Sequence, residues 1–93
     1  MKLLLSSKIR EKLEGRGIDE SDLHQCFENR YGSFLEDTRE DHRTNPPTQW
    51  FISETDNGRE LKVVFVQLNK TDIAIKSAFD PNSEEKRIYQ KYK

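Results

Sequence analysis

Residues 50–68, W-F-I-S-E-T-D-N-G-R-E-L-K-V-V-F-V-Q-L, decide how this chain folds. Asp56-Asn57-Gly58 lies between two β-rich runs, and its turn residues predict a β-hairpin. Trp50-Phe51-Ile52 opens one strand, which runs to Thr55, and Leu61 to Leu68 form its partner. Val63, Val64, Phe65 and Val66 are continuously apolar, which predicts a central strand covered on both faces.

On the C-terminal side, Asn69-Lys70-Thr71-Asp72 turns the chain into a further strand, where Ile73 and Ile75 alternate with Ala74 and Lys76. Asp80-Pro81-Asn82-Ser83 closes that strand. Asn82 or Ser83 then caps a last helix with Glu84 and Glu85 in its first turn. Ile88 and Tyr92 share a helical face at i, i+4, with Tyr89 beside them.

On the N-terminal side, Ser33 to Asp37 reads as a short strand with Phe34 as its core candidate. Before it, Ser6 or Ser7 caps a helix to about Glu14, which Gly15 and Gly17 end. Asp19 caps a second helix whose stripe is Leu23, Cys26 and Phe27. The predicted order is ααββββα. It implies an α+β domain with an antiparallel sheet of three to four strands and helices packed on one face.

The 93 residues allow a single domain, 1–93, with one modest core. Apolar residues make up 32% and charged residues 35%, so a dimer or a bound partner is expected to help such a chain. Sixteen basic residues against seventeen acidic ones give a net charge of −1, which disfavours general nucleic-acid binding and leaves room for a local basic patch. The one cysteine, Cys26, excludes an internal disulfide and a cysteine-based zinc site. Met1 to Leu5 is far too short for a secretory core or a membrane span. The expectation is a soluble, cytoplasmic protein with no membrane partner.

Between the short strand and the hairpin runs Glu36 to Trp50, E-D-T-R-E-D-H-R-T-N-P-P-T-Q-W. Asn45, Pro46 and Pro47 break helix and strand alike. The prolines predict a stiff, extended segment feeding the next strand. A charged connection of this length inside a small domain is a functional candidate.

The element order resembles a family. Two short helices closing with D-E-S-D-L-H-Q-C-F-E-N lead, through a strand and a polar connection, to the hairpin around N-G-R-E-L-K-V-V-F. I-A-I-K-S-A and a helix containing E-K-R-I-Y follow. Over residues 8–92 this resembles the BrnT-type toxins of type II toxin–antitoxin systems. The resemblance implies a RelE-like ribonuclease fold, RNA as substrate and a short acidic or amphipathic antitoxin as partner. BrnT-type proteins usually carry arginines around the "S-A" of the fourth strand and at the start of the second. Ala74, Phe79 and Gln49 stand at those positions here. Proteins with a similar E-D-T-R-E-D-H-R core sometimes bear the name ADP-ribosyl-(dinitrogen reductase) hydrolase. Hydrolases of that name are much larger, metal-coordinating helical proteins, and release of ADP-ribose is not expected of this chain.

In the ribonuclease reading, His42 is the acid–base candidate, since its pKa lies near neutrality. Arg39 and Arg43 grip phosphate through forked donors, with Lys76 and Arg87 as further cations. Glu40 or Asp41 orients the imidazole, and Trp50 and Tyr89 are stacking candidates. No metal motif fits the spacing of these residues, and no cofactor is implied. The competing reading is a non-catalytic protein-binding module that uses the charged 36–50 connection and a sheet edge. In it His42 and its neighbours form a salt-bridged loop, Lys76 snorkels from the sheet, and Trp50 and Tyr89 belong to the core.

Overall fold

The computed structural model describes residues 1–38 and 44–93. Its elements are β1 (Lys2–Leu4), α1 (Ser7–Gly15), α2 (Glu20–Asn29), β2 (Leu35–Glu36), β3 (Thr48–Glu54), β4 (Glu60–Gln67), β5 (Asp72–Phe79) and α3 (Ser83–Tyr92). They form one five-stranded sheet in the order β1-β5-β4-β3-β2.

The hairpin forms as predicted. Thr55 donates its amide to the Arg59 carbonyl and Gly58 donates back to Thr55 O, with Gly58 at φ +84°. This is a three-residue loop whose last position needs a left-handed backbone, which glycine adopts without steric cost. β4 is the middle strand, as its continuous apolar run implied. Leu61, Val63 and Phe65 are fully buried on one face, while Lys62 and Val64 are half-buried on the other.

The caps also form as read. Ser6 Oγ accepts from the Ile9 amide, and Asp19 and Asn82 each close a reciprocal capping box, with Asp22 and Glu85 respectively.

The architecture is α+β, with three corrections to the expected arrangement. The order is βααββββα, because Lys2–Leu4 forms a strand. The five-stranded sheet is mixed, because β1 runs parallel to β5 with Leu3 opposite Ile73. The helices occupy both faces. Phe27 of α2 packs on Phe51 and Phe65, at centroid distances of 4.7 and 5.4 Å. Trp50, one residue before Phe51 and therefore on the opposite face, packs on Tyr89 of α3 at 5.7 Å.

The main core lies between α1–α2 and the sheet. Phe34 joins Phe27, Phe51 and Phe65 in an edge-to-face cluster, each such pair contributing about 0.5–1.5 kcal/mol beyond burial. A β-bulge shifts the β4–β5 register. Val64 faces Ser77 and Phe65 faces Ile75, so Lys76 is the extra residue. Arg59 ties three elements together. It donates to the carbonyls of Arg16 and Gly17 and forms a two-pronged pair with Asp80, at 2.9 and 3.0 Å.

The predicted extended Pro-Pro segment is not what forms. The chain bends at Asn45 and Pro46, whose peptide bond is cis, before Thr48 enters β3.

Candidate binding groove

A groove of about 780 Å³ opens between α3 and the β2–β3 edge of the sheet. Leu35, Trp50, Ile88 and Tyr92 supply its apolar surface. Glu36, Asp37, Lys62 and Glu85 supply its charges. Each side chain is placed by a local rule. Leu35 lies opposite Trp50 in the two-residue β2 ladder. Lys62 projects from the β4 face opposite its buried neighbours Leu61 and Val63. Ile88 and Tyr92 are one helical turn apart on α3.

Lys62 organises the floor. Its Nζ lies 2.8 Å from Glu85 Oε2 and 4.4 Å from the centre of the Trp50 ring. The side chains of this pair are only 14% and 20% exposed, so the ion pair and the cation–π contact both act in a partly desolvated setting. The other Glu85 oxygen caps α3 by accepting from the Asn82 amide. One carboxylate therefore fixes the helix start and the lysine at once.

Tyr89 is buried, and its hydroxyl donates to the Ser33 carbonyl at 2.9 Å. Burial raises its phenol pKa above the ordinary value of 10.0. Gly32 makes this fit possible, since a Cβ there would fall 2.5 Å from the Tyr89 hydroxyl. Tyr89 thus anchors α3 and holds one side of Trp50.

The sequence candidates separate in space. Trp50 is in the groove, half-buried. Tyr89 lies behind it and is closed to solvent. Arg87 is on the exposed side of α3, paired with Glu84 at 2.6 Å. Lys76 is exposed and lines a different hollow, with Lys2 and Arg10. Arg39, Glu40, Asp41, His42 and Arg43 lie outside the described residues. The residues flanking that segment converge: Asp37 donates its amide to Thr48 O, and Thr44 Oγ1 lies 3.0 Å from Thr48 Oγ1. Among the described residues no group of three or more His, Cys, Asp or Glu is placed to hold a metal ion. No described helix is long and apolar enough to cross a membrane.

Sequence reading missed Lys62 and Leu35, and placed Ile88 and Tyr92 on one face of the last helix without fixing which face is buried. A lysine inside an otherwise apolar strand was the available signal. The orientation of α3 hid the rest, because Tyr89 is the buried residue and Tyr92 is 61% exposed. No family model matches the chain, and no curated protein or solved structure matches it.

Proposed function

We propose that this chain is a non-catalytic protein-binding module whose α3 groove, beside the 36–50 connection, receives an apolar, basic segment of a partner protein. The observation that carries this reading is the lining. Among the described residues of the lining, four apolar side chains, two of them the aromatic Trp50 and Tyr92, are accessible together, with three carboxylates against one ammonium. Exposed aromatic anchors suit a protein partner. An excess of carboxylates repels RNA phosphate and complements lysine or arginine.

Selection from a displayed peptide library tests this, because Trp50 is the only tryptophan and reports on its own groove. Enriched peptides should combine apolar and basic residues, shift Trp50 emission to the blue, and lose binding to the Tyr92→Ala variant. Peptides that leave Trp50 emission unchanged would refute it.

A second reading is a toxin-like, metal-independent endoribonuclease, or a degenerate relative, held by an antitoxin protein. What supports it is the convergence of Asp37 and Thr44 on Thr48, at the ends of the segment that carries Arg39, His42 and Arg43. RNA cleavage in the presence of a chelator, lost in His42→Ala, would establish this reading in place of the first.

A further inference from the structure

β1 is the outer strand of the sheet, and its far side has no strand partner among the described residues. Beside it lies a hollow of about 630 Å³ with Leu4, Leu5, Ile9 and Ala74 as apolar surface and Lys2, Arg10 and Lys76 as its charges. Among the described residues no carboxylate lines it. Arg10 is drawn toward Glu20 at 3.0 Å, whereas Lys2 and Lys76 have no ion-pair partner among the described residues. The Asp72 carboxylate, beside Lys2 in the register, is engaged by Asn69 and Thr71 in the preceding turn. The β5 bulge falls at Lys76, and bulges re-aim side chains at such places.

We propose that the β1 edge and this hollow form a second interaction surface, which takes an extended acidic segment of a partner protein as an added strand. An edge strand offers backbone donors and acceptors to an incoming extended chain, and pockets for alternate side chains set its specificity. Here Leu5 and Ile9, packed against the main core, take one set of side chains. Lys2, on the opposite face with Leu4, selects carboxylates on the other together with Lys76. The same lysines disfavour a second copy of this chain, whose β1 edge carries the same positive charges. This surface is separate from the α3 groove and does not depend on it.

The test is fluorescence anisotropy with three labelled probes. One is a ten-residue peptide alternating glutamate and valine, one is its lysine counterpart, and one is an oligouridylate of the same length. The acidic peptide should bind, and Lys2→Glu and Lys76→Glu should each weaken it about tenfold with unchanged circular dichroism. Bound peptide should slow hydrogen exchange at Leu3 and Leu5, while Tyr92→Ala leaves its affinity unchanged. The proposal is overturned if the acidic peptide fails to bind at about 1 mM, a concentration that detects even very weak complexes. Equal binding of the lysine peptide, tighter binding of the oligouridylate, or protection at α3 in place of β1 would overturn it as well.

Discussion

Cys26 is the plainest case of a residue whose chemistry is set by its surroundings. It is fully buried on the inner face of α2, and burial, reinforced by Asp22 and Asp56, pushes its thiol from 9.0 up to about 12. The folded state therefore holds this proton more tightly than the unfolded chain. The stabilisation is complete below pH 9 and is lost as the pH rises from about 9 toward 12. Urea midpoints should fall over that range, and Cys26→Ala should flatten the fall. The thiol should also stay inert to disulfide reagents until the protein unfolds. Ser53 is a different case. Its hydroxyl is buried with no hydrogen-bond partner among the described residues, which is a standing cost. Ser53→Ala should be neutral or stabilising by up to about 1 kcal/mol in chemical denaturation. A loss of more than about 1 kcal/mol would mean that this hydroxyl has a partner.

At the scale of elements, two junctions carry testable weight. Gly58 closes the β3–β4 hairpin at φ +84°, so Gly58→Ala should cost about 1 kcal/mol through strain in the turn, although nothing crowds its Cβ. The Lys62–Glu85 pair joins β4 to α3. A double-mutant cycle with Lys62→Met and Glu85→Gln should give a coupling of about 1–2 kcal/mol, above the value for exposed pairs. These elements were unequally legible. Asp56-Asn57-Gly58 and the three caps act over a few residues, so the sequence carries their geometry locally. β1 is a three-residue strand paired with a segment about 70 residues away, and no local pattern marks such a contact. The face of α3 was equally hidden. Ile88, Tyr89 and Tyr92 are all plausible core residues, and only the position of Gly32 and Ser33 selects Tyr89.

For the molecule as a whole, the placement of α3 opposite α1 and α2 has a functional consequence. It leaves a gap at the β2–β3 edge that its own residues do not fill, and the chain keeps aromatic surface there. Lys76 lies in a separate hollow and Arg87 is paired with Glu84 on the exposed side of α3, so these two described cations of the ribonuclease reading do not share one face. The charged connection of 36–50 borders the groove at Glu36 and Asp37, and this much of the site was legible from composition. The partnership of Lys62 with Trp50 was not, because it depends on the register that sets Ile52 opposite Lys62 and Trp50 opposite Val64.

The most direct test of the α3 groove is a Trp50 fluorescence titration with a library-selected apolar, basic peptide, run on the wild type, Tyr92→Ala and His42→Ala. Saturable blue-shifted emission in the wild type and His42→Ala, weakened at least about tenfold in Tyr92→Ala, is the predicted result. Emission that does not respond, or that responds equally in Tyr92→Ala, would contradict the assignment of this groove as the binding site.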